Sequence, residues 1–315
     1  MQALVIGGAG FIGANLARAL HAAGHGVRVL DNLRTGSREN LRALPEVEFR
    51  EGSLLDPAAL GAAVRGCEVV FHLGAEVGNL NSLEHPFEDA RTNGEGTLTV
   101  ALAAHAAGVR RLVYSSSSAI FGEPVRLPIA EDHPCAPESY YGVSKLTGER
   151  YAWAAGRLTG LEVVCLRYFN VYGHGQRYNP YANVIPIFVE QLLRREPPII
   201  YGDGEQTRDF VNVNDVVQAN VLAAQAPVQG QIFNIGSGIA TTVKALAQLI
   251  GDELASARDI RPQHAPARAG EVRHSVANIA HARACLGYEP RVTLTEGVRA
   301  YVQWYRESVQ RGKAP

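Results

Sequence analysis

Ala3-Leu4-Val5-Ile6-Gly7-Gly8-Ala9-Gly10-Phe11-Ile12-Gly13 decides the fold of this chain. An apolar run of strand length ends in a glycine-rich turn, and a helical pattern opens directly behind it. Gly7 permits the tight turn, Gly10 lets backbone approach a diphosphate, and Gly13 lets the helix lie close on the strand. Glycines also end strands for purely steric reasons, so the turn needs support from elsewhere in the chain. Asp31 gives that support, because it closes the second strand-like run where a carboxylate accepting hydrogen bonds from a ribose is expected. A carboxylate there repels a 2′-phosphate, so the predicted cofactor is NAD rather than NADP, with Arg34 nearby as the residue that weighs the other way.

Outward from this turn, the first half alternates β-rich runs with helical patterns. The spacing predicts strands over 3–6, 27–30, 47–50, 69–73, 112–115 and 163–167, and helices over 11–23, 57–64, 87–107 and 139–158. Such alternation specifies a doubly wound α/β domain of Rossmann type, its parallel sheet covered on both faces. After Arg167 the rhythm breaks into a stretch dense in tyrosine and asparagine (168–183), a helix over 185–195 and the break Pro197-Pro198. Further helices are expected over 214–224, 242–254, 279–286 and 294–308, with a strand over 231–235. The expected division is an NAD-binding domain over 1–169 and a smaller α/β substrate-binding domain over 170–315, with a return to the first around 208–236.

The chain has 315 residues, 46% hydrophobic and 19% charged, with a net charge of −1. That is ample for a large core, and it leaves no broad field to attract nucleic acid or anionic lipid. An anionic ligand must therefore be gripped by particular residues. Cys67, Cys135, Cys165 and Cys285 are dispersed, with neither metal nor disulfide spacing, which suits a reducing cytoplasm. No apolar run reaches the ~18 residues of a membrane span, and the opening residues lack the pattern of an export signal. His21 and His25 have metal-ligand spacing, but Gly24 between them ends the helix and separates their faces, so no metal is expected.

Tyr141-Gly-Val-Ser-Lys145 carries the chemistry. Lys145 is one of three lysines in the chain, beside Lys244 and Lys313, and basic charge is otherwise carried by arginine. Tyrosine and lysine four apart share a helix face, where an ammonium can stabilise a phenolate and lower a pKa that starts near ~10. A usable general base at neutral pH is the expectation. Ser115-Ser116-Ser117-Ser118 ends the fifth strand at the carboxyl edge of the sheet, where ligands of this architecture bind. Serine tracts are also ordinary loop material, and the tract gains meaning from the helix bearing Tyr141 that follows it.

Seven motifs then occur in order: Gly7 to Gly13, Phe71-His72-Leu73-Gly74-Ala75, Ser116-Ser117-Ser118-Ala119-Ile120-Phe121-Gly122, Tyr141 to Lys145, Leu166-Arg167-Tyr168-Phe169-Asn170-Val171-Tyr172-Gly173, Gly202-Asp203-Gly204-Glu205-Gln206-Thr207-Arg208-Asp209-Phe210 and Arg268-Ala269-Gly270-Glu271. Through them the chain resembles, over essentially its whole length, the extended short-chain dehydrogenase/reductases, and within them the nucleotide-sugar epimerases and dehydratases. The resemblance implies that Tyr141 is the acid/base, that Lys145 holds the nicotinamide ribose and tunes Tyr141, and that Ser117 bonds the reacting sugar oxygen, with Ser118 the alternative one register on. It places Gly7, Gly10, Phe11, Ile12 and Gly13 at the cofactor phosphates and Leu73, Ala75, Asn93 and Tyr168 around the nicotinamide. Asn32, Gly74, Ser115 and Leu54 are further cofactor residues on the same ground. Where relatives carry Gly-Asp at the adenine, this chain has Gly52-Ser53, so the Ser53 hydroxyl is the expected substitute.

For the substrate, the resemblance assigns Arg208, Arg268, Asn170 and Asn183 to a diphosphate and Tyr201 to a uracil pocket. Ser275 matches a position that is bulky in members restricted to glucose and galactose and small in members that also accept N-acetylhexosamines. Dehydrating and decarboxylating members place an acid two positions after the catalytic hydroxyl, and here that position is Ala119. The implied activity is a UDP-sugar 4-epimerase, working as a homodimer through the helices over 87–107 and 139–158. The alternatives are a UDP-glucuronate 4-epimerase, whose extra carboxylate Arg177 or Asn79-Leu80-Asn81-Ser82 would meet, and a catalytically silent NAD-binding regulator.

Overall fold

Strand β1 (Gln2–Ile6) is apolar on both sides because both its faces are covered. In the computed structural model, which describes residues 1–179, 183–254, 257–267 and 271–310, Ala3 and Val5 face α1 (Phe11–Ala22), while Leu4 and Ile6 face the opposite layer. The sheet continues with β2 (Gly26–Asp31), β3 (Glu48–Glu51), β4 (Val69–His72), β5 (Arg111–Ser117) and β6 (Glu162–Tyr168). Between these strands lie α2 (Pro57–Val64), α3 (Asn79–Glu84), α4 (Pro86–Ala90), α5 (Gly96–Ala106) and α6 (Tyr140–Thr159). Helices α2, α5 and α6 bury Leu60, Val100 and Ala152 against the Leu4 side.

The second half supplies β7 (Asn170–Tyr172), α7 (Val184–Leu193), β8 (Ile199–Tyr201), β9 (Thr207–Asn212), α8 (Val213–Gln225) and β10 (Gln231–Ile235). It ends with β11 (Ala240–Thr242), α9 (Val243–Glu253), β12 (Gln263–Ala265), α10 (Ala280–Leu286) and α11 (Leu294–Gln310). The seven-stranded sheet has the order β10-β6-β5-β4-β1-β2-β3 and is parallel throughout. Strand β10 thus returns to extend the first sheet beside β6, and α8 joins α1 on the same face. A smaller layer holds the sheet β11-β9-β7, the pair β12-β8, and a separate core of Phe188, Val189, Leu246, Ile250, Val298 and Tyr301 under α7, α9 and α11. Among the described residues no helix is long and apolar enough to cross a membrane.

Strand order reverses between β1 and β4, and the crevice beyond their carboxyl ends is the ligand position of such sheets. The single helix expected over 87–107 is instead α4, a wide π turn over Arg91–Glu95, and α5. The extra residue in that turn carries Asn93 and Gly94 inward, the usual consequence of a π bulge near a site. Helix α3 and strands β7, β8, β9, β11 and β12 were not separately expected. All but β9 of those strands have three residues, too few to display a two-residue period.

Candidate active site

The turn after β1 is built by contact as much as by conformation. Gly7 has φ +76°, and a Cβ on it would lie 2.7 Å from the Gly74 nitrogen, across the crevice on the end of β4. A Cβ on Gly13 would run into the Gly7 carbonyl oxygen. No side chain caps α1, so the first-turn N–H groups of Phe11, Ile12 and Gly13 remain available to an anion at a positive helix end. This cradle, which any side chain would fill, fits the diphosphate of NAD.

Beside it, Gly7, Asp31, Asn32, Ser53, Leu54, Gly74 and Ala75 line a cavity of about 210 Å³. Asp31 is held rigidly: Oδ2 accepts from Ala9 N at 2.9 Å and Oδ1 from Leu33 N at 2.8 Å. Each oxygen keeps a second lone pair for a ribose hydroxyl. Arg34, the residue that favoured a 2′-phosphate, is paired at 2.9 Å with Glu76. Ser53 Oγ already accepts from Leu55 N at 3.1 Å, and its hydroxyl retains one further acceptor position.

Tyr141 lies in the first turn of α6, which Ser139 caps by accepting from Gly142 N at 3.1 Å. Gly142 allows that turn to press on the segment after β5, since a Cβ there would be 2.5 Å from the Ala119 carbonyl oxygen. The close approach brings the Tyr141 phenol within hydrogen-bonding reach of Ser117, whose Oγ also accepts from Ala119 N at 3.2 Å. Of the two serines considered, Ser117 is the one that meets Tyr141. Burial pushes the phenol up to about 12, against the pull of Ser117, and the nearby Asp89 charge adds to the rise.

The expectation of a phenol lowered by its lysine is therefore corrected in the protein alone. Lys145 is buried, its Nζ donates to the Ser115 carbonyl at 2.5 Å, and it lies 4.7 Å from the Tyr114 ring centroid. Burial draws the lysine down to about 8, opposed by Asp89 and then Glu149.

Two residues expected at the nicotinamide serve as braces. Asn93 is 1% exposed; its Oδ1 accepts from Glu76 N at 3.0 Å, and its Nδ2 lies within 3.0 Å of Glu76 O, Asp89 Oδ2 and Ser144 Oγ. It ties the rim of the crevice to α6. Tyr168 is likewise buried: Ser115 Oγ donates to its hydroxyl at 3.0 Å, and that hydroxyl bonds Asn220. Leu73 packs against the core and donates its N–H to Ile6 O.

Two of the candidate substrate residues, Arg208 and Ser275, lie on or beside a stretch over 273–278 that stitches the two layers. Arg273 N donates to Glu123 Oε2 at 2.8 Å, Ser275 N to Thr207 O at 3.1 Å, and Ile129 N to Val276 O at 2.8 Å. Ser275 is buried next to β9, which carries Arg208. Arg208 is buried enough to lower its pKa, and its Nη2 meets Glu271 at 3.0 Å. Asn170 begins β7, Tyr201 ends β8, and Asn183 precedes α7 without capping it by its side chain. Arg268 lies outside the described residues. Arg177 lines a different cavity, of about 540 Å³, with Arg18 and Trp304.

Sequence reasoning assigned no role to four buried charges that organise this site. Glu149 and Arg167 form a two-point ion pair (2.9 and 2.7 Å) between α6 and β6. Asp209 receives Ser237 N, Ser237 Oγ, Gly238 N and Ala277 N, fixing the 273–278 stretch to β9. Asp89 holds Asn93. No local pattern marks them, and only the fold shows that they are buried.

Residues 3–236 match the NAD dependent epimerase/dehydratase family. The chain is 38% identical over 315 residues to the UDP-glucose 4-epimerase of Mycolicibacterium smegmatis, covering 98% of this chain and 100% of that one. It is similar to the structure of the Thermotoga maritima UDP-glucose 4-epimerase with UDP-glucose, at TM-score 0.94 and 39% identity, covering 98% of this chain and 100% of the other. It is also similar to a UDP-N-acetylglucosamine 4-epimerase from Methanobrevibacter ruminantium in complex with UDP-N-acetylmuramic acid, at TM-score 0.92 and 33% identity, covering 98% of each.

Proposed function

Since this chain belongs to the NAD dependent epimerase/dehydratase family, we propose that it inverts C4 of UDP-glucose and UDP-galactose and also accepts the corresponding N-acetylhexosamines. The observation that carries this reading is Tyr141 against Ser117, one helical turn before Lys145, with the uncharged Ala119 beside them. An acid at that place would serve elimination or decarboxylation, and alanine leaves oxidation and re-reduction at one carbon.

When bound, NAD supplies the acceptor and donor of hydride for C4 together with a cationic ring. Tyr141, as phenolate, takes the proton of the 4-hydroxyl, and Ser117 donates to the same oxygen. The proton stays on Tyr141 and goes back to that oxygen when the opposite face of C4 is reduced, so isomerisation needs no proton exit. In the protein alone Tyr141 is held neutral, and ionisation requires added positive charge near the phenol. Arg208, Arg268, Asn170 and Asn183 grip the diphosphate while the sugar turns over between them and Tyr141.

Proton NMR of separate incubations with UDP-glucose, UDP-N-acetylglucosamine and UDP-glucuronate tests the reading: C4 inversion is expected for the first two. Inversion of the glucuronate alone would replace it with the alternative. That alternative has less support, because Arg177 lines a cavity that reaches the glycine turn at Gly10 and Phe11 but does not include Ser117, Tyr141 or Arg208, and Asn81 is bonded to Glu76.

Ser275 sets the choice among neutral sugars. Ser275→Tyr places a ring in the buried space beside Arg208, and turnover of UDP-N-acetylglucosamine should fall by roughly 100-fold or more while UDP-glucose changes a few-fold at most. Equal loss on both sugars, or on neither, would sink this assignment. The reading extends to a cytoplasmic homodimer: Leu102 on α5 and Val143, Tyr151 and Leu158 on α6 are exposed apolar residues on the helices expected to pair. Light scattering reads that mass directly, and a monomer at micromolar concentration would remove it.

A further inference from the structure

The cavity of about 540 Å³ takes no part in the chemistry above, and its walls come from both layers of the molecule. Helix α1 and the turn Arg38–Leu41 supply one side, and the loop after β7 and the end of α11 supply the other. It touches the outside of the glycine turn at Gly10 and Phe11 but includes neither Asp31, Ser117, Tyr141 nor Arg208. Three guanidiniums line it, Arg18, Arg42 and Arg177, with one carboxylate, Glu39, which Arg42 meets at 3.4 Å. Arg18 and Arg177 meet no carboxylate among the described residues, and the residues outside these, 180–182, 255–256, 268–270 and 311–315, include no Asp or Glu. The cavity therefore carries excess positive charge in a chain whose net charge is −1.

These cations stand on fixed supports. The loop that bears Arg177 is pinned on both sides, by Asn15 Nδ2 donating to His174 O at 2.8 Å and by the Tyr301 hydroxyl donating to Gln176 O at 2.8 Å. Asn15 Oδ1 in turn accepts from Arg18 at 3.0 Å, and the His174 ring lies 5.1 Å from the ring of Trp304, which also lines the cavity. Arg18, Arg177 and Trp304 are each half-buried, so each keeps a surface open to a ligand. We propose that this cavity is a second ligand site, taking a phosphorylated compound with a flat heterocycle, of mononucleotide size. Arg18 and Arg177 hold the phosphate, whose oxygens suit planar guanidinium donors, and the heterocycle packs on Trp304. Small-molecule cavities of ~300–1,000 Å³ are the usual range for ligands of this size. An occupant bridges α1 and α11 beside the turn that cradles the cofactor.

This site goes beyond the epimerase reading, and its test follows binding rather than turnover, so the two can fail separately. Full-length protein loaded with NAD and freed of excess is titrated with AMP by calorimetry. One AMP per chain is expected, with Kd below about 1 mM and NAD still bound after the titration. Arg18→Gln and Arg177→Gln should each weaken AMP by roughly 10-fold or more, the cost of losing a charged hydrogen bond to phosphate. Trp304→Leu should weaken AMP by about 10-fold and leave the weaker binding of inorganic phosphate in place. Wild-type protein should also bind AMP more tightly than inorganic phosphate or adenosine, which reads the ring and the phosphate even if the tryptophan variant folds poorly. Arg208→Gln, outside the cavity, should leave AMP binding unchanged. Absence of saturable AMP binding overturns the proposal, as does binding that releases NAD, binding that survives both arginine variants, or binding that falls in Arg208→Gln instead.

Discussion

Tyr141→Phe is expected to lower turnover of the proposed substrate UDP-glucose by roughly 10²–10⁴-fold, the usual contribution of a positioned acid/base. The substitution removes one oxygen and little else: the ring is kept, and Ser117 retains its bond from Ala119 N. Binding should therefore be preserved. The Michaelis constant is expected to change by no more than a few-fold, and the purified variant should carry as much NAD as the wild type, read from its absorbance after denaturation. Loss of turnover with NAD retained separates a chemical role from a structural one. A variant that turns over at the wild-type rate would remove Tyr141 from the mechanism and with it the proposed function of Ser117.

The second large effect concerns stability. Glu149 and Arg167 are 0% and 2% exposed in their side chains and meet at two points, with Arg167 also donating to Glu131 O and lying 5.0 Å from the Phe121 ring centroid. Glu149→Ala leaves a guanidinium buried without its counter-charge, and such a break costs about 3–5 kcal/mol. A fall in melting temperature of order 10 °C is expected, measured by circular dichroism at fixed protein and NAD concentration. The double variant Glu149→Leu/Arg167→Met should recover a large part of the loss, because apolar residues of similar volume avoid the desolvation that the pair must offset. A single variant that melts within ~2 °C of the wild type would show that solvent reaches the pair. Glu149 also opposes the desolvation of Lys145, so its loss should lower the lysine midpoint.

Much of this architecture can be read from residues. The first-half strands are legible because β1, β4 and β6 are apolar on both faces, a pattern only a covered parallel sheet requires. Gly7 and Gly13 are legible because their spacing reflects two collisions, with Gly74 and with the Gly7 carbonyl. Gly142 offered the same kind of signal and was not used: a glycine directly after Tyr141 marks the close approach that delivers the phenol to Ser117. The state of that phenol was not legible. Helical spacing places Lys145 under Tyr141, but it says nothing of the Ser115 carbonyl, which comes from another strand and takes the ammonium. Asn93 and Tyr168 were expected to face the cofactor, and their inward hydrogen bonds depend on a π turn and on Asn220, neither of which has a local pattern. Charges such as Asp89, Arg167 and Asp209 read as neutral detail until the fold shows which of them are buried.

The return of β10 to the sheet governs the order in which this protein can be made. The free edge of β6 is paired by Gln231–Ile235, so the sheet that holds the glycine turn cannot be closed until about three-quarters of the 315 residues have left the ribosome. Until then the nascent chain presents Val164, Cys165 and Leu166 along an open strand edge, an invitation to pair with another chain. Fragments ending near residue 170 are expected to aggregate, whereas chains extended past Ile235 should remain in solution, a contrast that separating soluble from insoluble expression products would reveal.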